Sequence, residues 1–142
     1  MKLRNILLSI AVCGLVGPVI AARESTKKPG GDVEKSDASK RHETEGHLQS
    51  IATALNFYKV NAALFPSTAQ GLKALVEKPI TDPVPRRWAM ILPKVPTDAW
   101  QSPFRYRFPG AKDPNEFELS SNGPDRIAGT ADDIIYQKEI ER

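Results

Sequence analysis

A chain of 142 residues with 40% apolar residues has room for one domain with a modest core. Its 20 basic and 17 acidic residues nearly balance, which excludes a basic nucleic-acid-binding surface. Twelve prolines exclude a bundle of long helices and predict short elements joined by loops.

Residues 1–22 read as a cleaved signal peptide. Lys2 and Arg4 give a positive start, the run from Ile6 to Ile20 is apolar, and Val19-Ile20-Ala21-Ala22 offers a signal-peptidase site. A short membrane anchor is the alternative. The 17 residues from Ile6 to Ala22 would reach about 25 Å as a helix, short of the ~30 Å hydrocarbon core. Gly14, Gly17 and Pro18 weaken such a span further. Cys13 is the sole cysteine and falls in this segment, so the processed chain would form no disulfide. Residues 23–41 read as a flexible linker, polar and broken by Pro29-Gly30-Gly31, with too little apolar surface to order itself.

The globular domain is expected over residues 42–142. A first helix should begin between His42 and Glu45 and run to about Asn61. Leu48, Ile51, Leu55 and Tyr58 recur there at helical spacing, with Ala52 beside them. His47 is expected at the surface. A short second helix should follow, with Ser67 and Gln70 as a capping box and Leu72, Leu75 and Val76 as its apolar edge. Lys78-Pro79 stops it. The proline-rich loop from Ile80 to Gln101 is too apolar to float, so Trp88 and Trp100 are expected to pack on the core.

Three strands should close the chain. Phe104, Tyr106 and Phe108 alternate with Arg105 and Arg107, and Phe117 and Leu119 alternate with Glu116 and Glu118. The Arg and Glu faces are expected to oppose each other across this hairpin. Ile134 and Tyr136 mark the third strand. The predicted class is α+β: one long N-terminal helix packed on a small three-stranded antiparallel sheet, with a short second helix and a proline-rich loop.

Before the third strand lies the stretch with the most chemistry, residues 120–134. Asp125 and the Asp132-Asp133 pair flank a turn-rich segment in which Gly123 and Gly129 allow sharp reversal. Three carboxylates gathered there would repel, and a hard cation with six to eight oxygen ligands, such as calcium, would relieve the repulsion. The competing reading is an ordinary solvated acidic turn with Asx-turns at Asn122 and Asp125. Spacing alone leaves both open. An enzyme is not expected: the chain has no Gly-x-Ser-x-Gly elbow, and His42 and His47 have no nucleophile to serve.

Several blocks together carry a resemblance. They are Tyr58-Lys59-Val60-Asn61, then Phe65-Pro66-Ser67-Thr68-Ala69-Gln70-Gly71-Leu72-Lys73-Ala74-Leu75-Val76, then Leu92-Pro93-Lys94-Val95-Pro96-Thr97-Asp98-Ala99-Trp100 and Pro103-Phe104-Arg105-Tyr106. In order and spacing this set resembles the major pseudopilins of bacterial type II secretion systems, over residues 45–135. Ala99 stands where that family has proline, and Gln101 and Arg126 stand where it has glycine.

The resemblance implies a pilin-like head and a calcium site. Asp125 and Asp132 would be side-chain ligands with Asp133 adjacent, and backbone carbonyls near Asn122 and Thr130 would complete the shell. It also implies a structural subunit or accessory in protein secretion across the outer membrane. Its partners would be other pseudopilins or secretion-system components, and it would be exported to the periplasm, with a tether to the inner membrane through the N-terminus. Family members carry a prepilin signal with a glutamate five residues after the cut, followed by a long apolar helix. Here Gly14-Leu15 imitates the cut, but Val19 stands in place of the glutamate. The alternative is an exported, calcium-stabilised binding module that does not polymerise.

Overall fold

The computed structural model describes residues 35–138. The expected leader and most of the expected linker lie outside them. Helix α1 spans Asp37–Ala62. It starts at least five residues before the apolar stripe suggests, inside the segment expected to be linker. The reason is local and polar. The Ser36 side chain accepts the Ser39 N–H at 3.3 Å, Asp37 complements the helix dipole, and Lys35 pairs with Glu43 at 2.7 Å. These first two turns face solvent, so no apolar period announces them. At the far end Ala63 takes a left-handed conformation, φ 69°, and its N–H bonds the Lys59 carbonyl.

The stripe of α1 is the core. Leu48, Ile51, Leu55 and Tyr58 are at most 2% exposed, and Ile51 and Leu55 are sealed completely. Burial of each such side chain contributes about 1.5–3 kcal/mol. Against them pack Phe65, Leu72, Leu75, Trp100, Phe104, Leu119 and Ile134. Among the described residues no helix is long and apolar enough to cross a membrane.

The capping box forms as expected. The Ser67 N–H bonds Gln70 Oε1 at 3.0 Å, and the Gln70 N–H bonds Ser67 Oγ at 3.3 Å. It does not open an α-helix, because Gly71 adopts φ 59° and turns the chain into a short 3-10 segment, Gly71–Leu75. Gln70 Nε2 reaches on to the carbonyls of Thr81 and Pro83, which pins the proline-rich loop. Trp88 Nε1 donates to the Ala74 carbonyl at 2.8 Å, and the Ile91 and Leu92 N–H groups both donate to that of Leu75. Both tryptophans thus serve packing, Trp100 being 9% exposed.

The sheet has three antiparallel strands in sequence order: β1 (Arg105–Arg107), β2 (Glu118–Ser121) and β3 (Ile134–Ile135). The strands are shorter than the alternation suggests. Pro103 and Pro109 bracket β1 and cannot donate to a ladder. Arg107 faces Glu118 in register, but Arg105 faces Ser120. The expected Arg–Glu apposition is thus half realised. The Glu118 carboxylate instead accepts the Ala111 N–H, and Glu116 pairs with Lys138 at 2.9 Å. On the inner side Phe65 meets Phe108 and Phe117 edge-on, at ring separations of 5.3 and 5.0 Å, and Tyr136 stacks on Phe117. The Tyr106 hydroxyl donates to the Pro66 carbonyl at 2.7 Å, and burial pushes its pKa upward.

Candidate functional site

The loop from β2 to β3 covers residues 122–133. Pairing of Ser121 with Ile134 sets its two ends side by side. Gly123 makes this approach possible. It has φ 67°, and a Cβ there would fall on the Asp132 backbone oxygen and lie 2.9 Å from Asp132 Oδ2. Any side chain would push the loop apart.

Hydrogen bonds then order the acidic residues. Asp132 Oδ1 accepts the Thr130 hydroxyl at 2.6 Å, and Oδ2 accepts the Asp125 N–H at 3.2 Å. The Thr130 hydroxyl, aided by backbone N–H donors, holds the Asp132 carboxyl below its ordinary pKa of 3.8. Asp133 Oδ2 accepts the Gly129 N–H at 2.8 Å. Asn122 Nδ2 donates to the Arg126 carbonyl. Two oxygens are left over: Asn122 Oδ1 and Asp133 Oδ1 are buried and have no hydrogen-bond partner. Leaving such an atom without a partner costs about 1–3 kcal/mol, so these two oxygens are the loop's open acceptor positions.

The expected gathering of three carboxylates is not what forms. Among the described residues no three Asp, Glu, His or Cys side chains lie close enough to share a metal. Asp125 is exposed, its Oδ1 taking the Ile127 N–H at 2.7 Å as an Asx-turn, and its side chain also lies against the Asp132 carboxyl. At Asn122 the free group is the side-chain oxygen. At Thr130 the carbonyl accepts the Asp133 N–H at 3.4 Å, and the hydroxyl serves Asp132. The loop therefore offers oxygens of Asn122, Asp132 and Asp133, with the more exposed Asp125 against Asp132.

The depressed Asp132 pKa has a sign that can be checked. A folded pKa below the unfolded one contributes stability above the unfolded value, and that stability is lost as pH falls through the folded value. Thermal melting of the parent should therefore decline below about pH 4 more steeply than that of Asp132→Asn. Parallel acid profiles would contradict the assignment.

A second network lies under the loop, centred on Asp98 of the Leu92-to-Trp100 block, for which the sequence suggests no role of its own. Asp98 is 1% exposed. Its Oδ1 accepts the N–H groups of Trp100 and Ser102 at 3.0 and 2.7 Å, and its Oδ2 accepts the Ser121 hydroxyl at 2.6 Å. Ser121 Oγ in turn accepts the Gly123 N–H. On the other side the Ala99 N–H donates to Thr44 Oγ1, and the His47 ring contacts the Thr97 carbonyl at 3.1 Å. His47 is therefore a half-buried link rather than a free surface residue. The available signal was the Asp98-x-Trp100-x-Ser102 spacing, in which an Asx side chain can reach N–H groups two and four residues on.

One helix laid on a three-stranded antiparallel sheet, with an oxygen-lined loop feeding the last strand, defines a pilin-like head. The family model described as type II secretion system (T2SS), protein G, matches residues 33–137. Type II secretion system core protein G of Pseudomonas aeruginosa is 33% identical over 130 residues, covering 90% of this chain and 84% of that protein. The Vibrio cholerae protein of the same name is 35% identical over 107 residues, covering 73% and 70%. The crystal structure of the major pseudopilin from the type 2 secretion system of enterohaemorrhagic Escherichia coli superposes with a TM-score of 0.63 at 31% identity. It covers 70% of this chain and 87% of that one. The chain belongs to the type II secretion system protein G family, the major pseudopilins. The match to the Pseudomonas protein is wider than the resemblance at residues 45–135, for 90% of this chain takes in part of residues 1–22.

Proposed function

We propose that the chain is a structural subunit of a type II secretion pseudopilus whose head is held by a calcium ion in the 122–133 loop. Family membership supports the subunit role. The observation that carries the calcium reading is the pair of buried, unpartnered oxygens on Asn122 and Asp133 beside the ionised Asp132. An all-oxygen donor set with two carboxylates suits a hard cation. Asn122, Asp132 and Asp133 would hold it, with Asp125 at the outer rim. When bound, calcium supplies positive charge that neutralises the loop and satisfies the stranded oxygens. The role is mechanical and calls for no catalysis. The subunit would be exported to the periplasm, tethered to the inner membrane through its N-terminal segment, and partnered by other pseudopilins and secretion-system components.

The test is deletion of the gene, followed by assay of the secreted proteins in the culture medium. We expect them to be held back in the periplasm, and to return to the medium when the parent chain is supplied. An Asp132→Ala/Asp133→Ala chain should restore secretion only weakly. Unchanged secretion after deletion would refute the subunit role and leave an exported module that does not polymerise.

A further inference from the structure

We propose that Arg126 is a built-in strap that orders the acidic loop before any metal binds. Arg126 has φ 61°, a backbone conformation that disfavours a long side chain. Its guanidinium leaves the loop and donates from Nη2 to the Trp100 carbonyl at 2.8 Å. That carbonyl is itself fixed in place. Gln101, next in sequence, is also left-handed at φ 65°, and its N–H bonds the Asp98 carbonyl at 3.0 Å. The bond thus joins the left-handed Arg126 to the peptide that precedes the left-handed Gln101.

The strap spans 26 residues of sequence. It closes the outer side of the loop, while the bond from Ser121 to Asp98 closes the inner side. The Arg126 backbone is held as well: its N–H donates to the Gly123 carbonyl, and its carbonyl accepts Asn122 Nδ2. Arg126 therefore orients Asn122, one of the two residues with a stranded oxygen. Arg126 is a positioning residue: it keeps the oxygens in place and leaves their lone pairs free.

The strap is tested by amide hydrogen exchange in a calcium chelator, so that the outcome is separate from the calcium reading. Arg126→Asn is the informative change, because Asn tolerates the left-handed backbone and cannot reach Trp100. The amides of Asp125, Ile127 and Gly129, which bond within the loop, should exchange about fivefold faster, the factor that loss of a ~1 kcal/mol hydrogen bond gives. The Tyr136 amide, bonded to Leu119 in the sheet, should be unchanged. Arg126→Lys keeps a cationic donor and should recover much of the protection. Unchanged loop exchange in Arg126→Asn, or acceleration that includes Tyr136 to the same degree, would overturn the proposal.

Discussion

Replacing Asp98 with alanine is expected to cost the head ~3 kcal/mol or more. The change strands two buried N–H donors, on Trp100 and Ser102, and the buried hydroxyl of Ser121. Each loses a charge-assisted acceptor in a region closed to water, where a stranded donor costs about 1–3 kcal/mol. In a domain of about one hundred residues each kcal/mol lowers Tm by roughly 4–8 °C. The expected fall is therefore roughly 12–24 °C. Asp98→Asn separates shape from charge. It keeps an oxygen for the two N–H groups but turns an amide toward Ser121, so its cost should be nearer ~1 kcal/mol. A melting temperature for Asp98→Ala within two or three degrees of the parent would show that the network is not structural.

Phe65→Ala should have an effect of similar size by a different route. Phe65 is 2% exposed and lies between α1 and the sheet. Its ring meets Phe108 and Phe117 edge-on, and Lys59 Nζ sits 4.4 Å from the ring centre. Truncation removes the burial of a large ring, two aromatic contacts and a cation–π contact, and leaves a cavity. Such changes cost about 3–5 kcal/mol. In denaturant the unfolding midpoint should fall while the slope stays constant, since the surface exposed on unfolding hardly changes. Phe65→Leu should recover more than half of the loss. A midpoint for Phe65→Ala equal to that of the parent would mean that the aromatic cluster does not anchor the sheet to the helix.

These two residues mark what could be read in the sequence and what could not. Phe65 was legible only as the start of the Phe65-to-Val76 block, and the stripe of Leu48, Ile51, Leu55 and Tyr58 was legible because burial on one helix face imposes a period. The beginning of α1 was not. Its first turns are held by a Ser36 cap and a Lys35–Glu43 ion pair in water, and polar residues show no such period. The short second helix was legible from its capping box and apolar edge, but its 3-10 form was not, since it follows from the left-handed conformation of Gly71. The acidic loop was legible as a place. Its internal arrangement was not, because it depends on which donors each carboxylate meets. Asp125 turns to Ile127, and the free oxygens fall to Asn122 and Asp133. The role of Asp98 was not legible, because its partner Ser121 comes from a distant part of the chain.

The most direct test of the calcium-held head is its melting temperature in calcium and in chelator. A ligand that binds only the folded form adds RT ln(1 + [L]/Kd), about 2.7 kcal/mol at a hundredfold excess over Kd. With extracellular-type affinities near ~0.1–1 mM, ten-millimolar calcium should raise Tm by several degrees or more. Magnesium should do less, because it demands near-octahedral geometry and gives up water reluctantly. Asn122→Ala, Asp132→Ala and Asp133→Ala should each remove most of the shift. A calcium-dependent rise in Tm that these substitutions erase is the predicted result; identical melting of the parent chain in calcium and in chelator would contradict it.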